Sequence, residues 1–177
     1  MTTAGYGTWD SPITAAAVAR DDGTPGWVAV VGDELWWDEP RPEQGGRRVV
    51  VARTGEGAAR ELLPPGWNVR NRVIEYGGRA WTAGPNRELI FTHWDDQRVY
   101  LHDPSGSGGQ PRPLTPPADG VHYAEPLPVG AAVWAIRETL LAGPRDGRRE
   151  IVAIPLDGTG SADPDRIRVV AAGQRFL

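Results

Sequence analysis

Arg70, Arg72, Glu75 and Tyr76 fall within seven positions and run directly into Gly77-Gly78. A carboxylate such as Glu75 can hold a free amino group. A guanidinium such as Arg70 or Arg72 can hold a carboxylate or a carbonyl by paired N–H donors. These four residues are therefore candidate substrate-binding groups. The same residues also fit a structural role. Arg72 and Glu75 stand three apart beside a glycine turn, where they can brace two neighbouring sheets with Tyr76 packed beneath. Both readings stand at this stage.

Catalytic candidates are absent. A nucleophile elbow needs Gly-x-Ser-x-Gly on a strand-to-helix turn. Ser11, Ser105, Ser107 and Ser161 all lie outside that frame, and the Gly/Ser stretch around Ser105 and Ser107 reads as a linker between strands. His93, Asp95, Asp96 and His102 raise a metal site, but a hairpin turning at Asp95-Asp96 puts the two histidines at opposite ends of paired strands, facing apart. No metal and no cofactor are expected. Asp157-Gly158 and Asp163-Pro164-Asp165 lack the calcium-loop pattern and read as turns.

The elements that must position these groups are short strands. Trp27 to Val31, Glu34 to Trp37, Arg48 to Arg53 and Ala59 to Leu63 form a first set, stopped by Pro64-Pro65-Gly66. Arg79 to Thr82, Glu88 to Thr92, Arg98 to Leu101 and Pro111 to Thr115 form a second, stopped by Pro116-Pro117. Tyr123 to Leu127, Ala132 to Arg137, Glu150 to Leu156 and Arg166 to Ala171 form a looser third. Trp36, Phe91 and Trp134 take equivalent places in the second strand of each set. A four-stranded unit recurring at about 50 residues is the mark of a β-propeller blade. A β-sandwich also spaces its strands closely; the repeated turn chemistry favours the propeller. The expected fold is all-β: a partial propeller of about three four-stranded antiparallel blades, near 21–66, 77–117 and 121–172. Ser11 to Arg20 adds one short helix, capped by Ser11 with Pro12 in its first turn. Three units fall short of the about four to eight that close a ring, so further blades are expected. The Arg70 to Gly78 stretch falls at the join between the first two units.

Composition agrees. The chain of 177 residues has 23 glycines and 17 prolines, which suits many turns, and eight tryptophans, which argues against disorder. The net charge of -4, with no basic run, excludes a nucleic-acid partner. No apolar run approaches the ~20 residues of a membrane helix, so no membrane partner is expected. The absence of cysteine fits a reducing cytoplasm.

Tyr6-Gly7-Thr8-Trp9-Asp10-Ser11-Pro12-Ile13-Thr14 resembles the start of bacterial peptidases of the prolyl oligopeptidase family, the dipeptidyl aminopeptidase and acylaminoacyl peptidase group. Asn68 to Gly78 resembles a segment that usually carries a histidine before Glu-Tyr-Gly-Gly; here Ile74 replaces it. Asp96 to Tyr100 and Pro111 to Thr115 are similar to the family's second-blade strands. The resemblance implies an N-terminal propeller that shields a downstream α/β-hydrolase domain and screens short peptide substrates by size. That domain would carry the Ser-Asp-His triad, so no catalytic residue maps onto this chain. The alternative is a free-standing propeller that binds protein or carbohydrate and has no enzymatic role.

Overall fold

In the computed structural model of this chain, the residues described are Gly5, Gly7, Ile13, Thr14 and residues 24–105, 109–141 and 147–173. The short helix expected over Ser11 to Arg20 falls mostly outside them; Ile13 and Thr14 are not helical. Ser11 and Ser107 also lie outside the described residues.

The described residues form three four-stranded antiparallel sheets, each in simple sequence order. The first holds β1 (Val28–Val31), β2 (Glu34–Arg41), β3 (Arg47–Thr54) and β4 (Arg60–Glu61). The second holds β5 (Trp81–Ala83), β6 (Leu89–Thr92), β7 (Val99–His102) and β8 (Arg112–Pro113). The third holds β9 (Val121–Val129), β10 (Ala132–Leu140), β11 (Gly147–Pro155) and β12 (Arg168–Ala172). The fold is all-β, a partial propeller of three blades, as the repeating turn chemistry predicts. The first strands of the three sheets are neighbours, with β5 against both β1 and β9. That is the arrangement of inner strands around a propeller axis.

Local sequence accounts for the strands. Val49, Val50 and Val51 stiffen the centre of β3, where branched side chains suit a pleated surface. Val31 pairs with Glu34 and Val129 with Ala132, so β1–β2 and β9–β10 close through two-residue turns. Gly32 (φ 64) and Gly130 (φ 59) supply the left-handed backbone those turns demand. The fourth strands of the first two sheets, β4 and β8, are the shortest, because Pro64-Pro65 and the prolines at 111, 113 and 116 deprive the chain of ladder donors.

Period-two alternation then decides the packing. On the second sheet, Leu89, Phe91 and Tyr100 face the first sheet, where they meet Trp36, Val50, Ala52 and Leu62. Ile90, Val99 and Leu101 face the third sheet, where they meet Tyr123, Val133, Ala135, Val152 and Ile154. The core is thus two interfaces between sheets. Burying each large side chain there stabilises the fold by about 1.5–3 kcal/mol. Trp67 packs edge-on against Phe91 and Tyr100, with centroids 5.6 and 4.8 Å away. Among the described residues no helix is long and apolar enough to cross a membrane.

Candidate functional site

The segment 62–80 carries the chain from β4 to β5, and all four sequence-predicted site residues lie in it. Its base is stitched to two sheets. Asn68 Oδ1 accepts the Arg48 amide at 3.0 Å, and the Val69 amide donates to the Arg48 carbonyl at 2.9 Å. On the other side Val69 bridges His93, and the Arg70 amide donates to the Thr92 carbonyl at 3.2 Å. Alternation continues past this point: Val69, Asn71 and Val73 are buried, while Arg70, Arg72 and Ile74 are exposed.

Asn71 closes the loop. Its Oδ1 accepts the amides of Gly78 at 2.9 Å and Val73 at 3.3 Å, and its Nδ2 donates to the Gly78 carbonyl at 3.0 Å. A side chain at Gly77 (φ 78) would sit 2.7 Å from the Asn71 carbonyl oxygen, so glycine is required there. Gln97, itself buried, accepts the Arg72 amide at 2.8 Å and donates to the Trp94 carbonyl at 2.6 Å. The tip reaches the third sheet, where the Ile74 amide donates to Glu138 Oε2 at 3.1 Å. Glu138 is 1% exposed and is held in turn by Arg149, whose Nη2 lies 2.7 Å from Oε1. His122 Nδ1 stands 3.3 Å from Glu138 Oε2. The connector leaves through Arg79, whose amide donates to Glu125 Oε1 at 2.7 Å. Glu125 (φ 56) lies beside the β9 bulge, where the register shifts between Trp134 and Ile136. One connector is therefore anchored on all three sheets.

This geometry corrects the bracing expected of Arg72, Glu75 and Tyr76. Arg72 and Glu75 form no ion pair; what joins them is the Glu75 amide donating to the Arg72 carbonyl at 2.9 Å. Tyr76 is 94% exposed and packs beneath nothing. The cause is backbone. Ile74 (φ 57) and Glu75 (φ 64) are both left-handed, which turns the chain early and leaves Tyr76 outside. For branched Ile74 that conformation costs about 1–2 kcal/mol. The bracing falls instead to Asn71, Gln97 and Glu138.

Arg70 and Arg72 share one platform, with guanidinium carbons 4.4 and 4.2 Å from the Trp94 ring centre. Neither forms an ion pair among the described residues. A hollow of about 510 Å³ opens between the first and second sheets, lined by Trp27, Asp38, Arg48, Arg70, Tyr76 and Trp81 among others. Asp38 is its buried anchor. Oδ1 accepts the Trp27 amide and the Trp81 indole, both at 2.8 Å, and Oδ2 accepts Arg48 Nε at 2.9 Å. Arg72 faces a different hollow, of about 340 Å³, whose lining includes Asp95, Asp96 and Asp119.

Asp38, Asn71, Gln97 and Glu138 escaped sequence reasoning. A signal for Asp38 existed: two positions after Trp36 in an alternating strand, it shares the buried face. Glu138 had no such signal. The groups considered for chemistry are structural. His93 packs its ring 4.7 Å from Trp67, with Nδ1 near Asn68. His102 pairs across the hairpin with Leu89. Burial lowers the His102 pKa, against the opposing charge of Asp103. Burial, with a 2.5 Å hydrogen bond to Asp96, pushes the Tyr100 hydroxyl up to about 12. Ser161 accepts from Arg98 Nη2 at 3.2 Å. Among the described residues no group of three or more histidines and carboxylates is placed to hold a metal ion.

No model of a protein family matches this chain, and no curated protein does. Solved structures do. A crystal structure of puromycin hydrolase is 43% identical over 97% of this chain, with a TM-score of 0.81. A mutant of puromycin hydrolase complexed with PGG gives 43% identity over 96% of the chain and the same TM-score. A puromycin-hydrolyzing peptidase of Mycobacterium tuberculosis is 40% identical over 99% of the chain, with a TM-score of 0.79. This chain spans 27–28% of the length of those chains; over that span it is similar in sequence and fold to puromycin-hydrolysing enzymes.

Proposed function

We infer that this chain is the propeller portion of a serine peptidase of the prolyl oligopeptidase family, and that it screens substrates for a hydrolase domain lying beyond it. The observation that carries this reading is the 43% identity to puromycin hydrolase over nearly the whole chain. The segment itself is non-catalytic. The reaction is acyl transfer from a short peptide or aminoacyl amide to water, by a serine outside these residues. The enzyme class is that of the dipeptidyl aminopeptidases and acylaminoacyl peptidases, acting on short peptides, and the compartment is the cytoplasm. A free-standing binding module would not by itself account for similarity to hydrolases over this length.

A segment exchange tests the screening role. The matching part of a solved puromycin hydrolase is replaced by this chain, and hydrolysis of aminoacyl amides, tripeptides and unfolded polypeptides is compared. The expected result is retained turnover of the small substrates with the long ones refused. Equal turnover of short and long substrates, in a chimera that is folded and active, would overturn the screening role.

A further inference from the structure

The hollow between the first and second sheets is polarised in a way its neighbour is not. Its floor is the buried ring of Trp81, 3% exposed, and its rim carries Trp27 at 55% and Tyr76 at 94% exposure. Exposed aromatic rings at the edge of a cleft are surfaces on which another ring can stack. Two cations and one carboxylate also line it. Asp38 is spent, since its oxygens already accept from Trp27, Trp81 and Arg48. Arg48 has its charge paired with Asp38, through Nε at 2.9 Å. Arg70 does not. Its guanidinium carbon stands 4.4 Å from the Trp94 ring centre, and its N–H donors form no hydrogen bond or ion pair among the described residues. A planar fork of this kind matches a carboxylate by two parallel hydrogen bonds. Arg72 shares the platform but faces Asp95, Asp96 and Asp119, which repel an anion. The volume, about 510 Å³, suits a small ligand.

We propose that this hollow binds an aromatic carboxylate, either an aromatic amino acid or a peptide ending in one, with its carboxylate on Arg70 and its ring between Trp27 and Tyr76. The inference deepens the screening role above and rests on it for its biological use. The binding itself is read on this chain without any hydrolysis, so the two claims fail separately.

The test is calorimetric titration of the chain with acetyl-Ala-Phe, its C-terminal amide, acetyl-Ala-Ala and free phenylalanine. The acid is expected to bind about tenfold tighter than the amide, the value of one charge-assisted pair, and more tightly than acetyl-Ala-Ala. Arg70→Gln should bring the acid down to the amide, and Tyr76→Ala should weaken acid and amide alike. Both residues are exposed, so melting midpoints should be unchanged. Free phenylalanine matching acetyl-Ala-Phe would identify the amino acid as the ligand, and weaker binding would identify the peptide end. Equal binding of acid and amide, or an acid preference that survives in Arg70→Gln, would overturn the proposal. So would the absence of binding by all four ligands.

Discussion

Residues 62–80 and residues 114–120 both carry the chain from the outer strand of one sheet to the inner strand of the next. The shorter connector does only that. Thr115 Oγ1 accepts the Val99 amide at 3.0 Å, and the Leu140 amide donates to the Gly120 carbonyl at 2.8 Å, so each end is pinned to the sheet it touches. Its left-handed residue, Gly120 (φ 68), is a glycine. The longer connector crosses the same kind of gap and then reaches past it. It touches all three sheets, places left-handed backbone on Ile74 and Glu75, and leaves Arg70, Arg72, Glu75 and Tyr76 at the surface. A fold that needed only to join two sheets had no use for that strain. Strain held by surrounding structure tends to collect where a surface is functional.

The largest effect should come from Asp38, which ties Trp81 of β5, just past the far end of the longer connector, to the first sheet. Asp38→Ala leaves Arg48 unpaired and the Trp81 indole without its acceptor. The loss should be about 3–5 kcal/mol by urea unfolding, the cost of breaking a buried charged pair. Thr115→Val, its counterpart on the shorter connector, should lose about 1 kcal/mol. Equal losses would mean that the two connectors are held alike.

Backbone strain gives the next comparison, with opposite signs. Ile74→Gly removes a branched side chain from a left-handed position and should leave stability unchanged or raise it by up to ~1 kcal/mol. Gly120→Ala puts a side chain into the same conformation and should cost about 1 kcal/mol. A marked loss in Ile74→Gly would show that the half-exposed Ile74 side chain packs usefully where it is.

The smallest effect is pH dependence. The start of the longer connector, at Leu62, lies against His102, whose ring is held below its ordinary pKa by burial. The unfolded ring ionises near ~6.5. Between that value and the lower folded one, the unfolded chain binds more protons. Stability is therefore full above about 6.5 and falls as pH drops through this window. The urea midpoint should be lower at pH 5.5 than at 7.5, and His102→Gln should flatten the difference. An unchanged slope in that variant would assign the pH dependence elsewhere.

The sheets were legible in the sequence because their signals are local. Turn glycines, proline stops and branched runs recur in the same order in the first two units and more loosely in the third. The site was half legible. Arg70 and Tyr76 were named from residue type, and both line the larger hollow. The brace that sequence spacing suggests between Arg72 and Glu75 does not form, because two left-handed residues turn the chain before the pair can meet. Gln97 and Glu138 carry no local sign of burial, and Asp38 carries only its place two positions after Trp36. What makes them anchors is contact with Trp81, Arg72 and Ile74 in other sheets or connectors, and no local pattern encodes contacts at that separation.

The central claim is that the longer connector is one fixed surface element held by three sheets. Native-state hydrogen exchange reads it most directly, at the amides of Arg72, Ile74 and Gly78. These donate to Gln97, Glu138 and Asn71. Protection at all three should be comparable to that of the Leu114 amide in the shorter connector, and Glu138→Ala should lose protection at Ile74. Exchange of the Ile74 and Gly78 amides at the rate of an unstructured chain would contradict the claim.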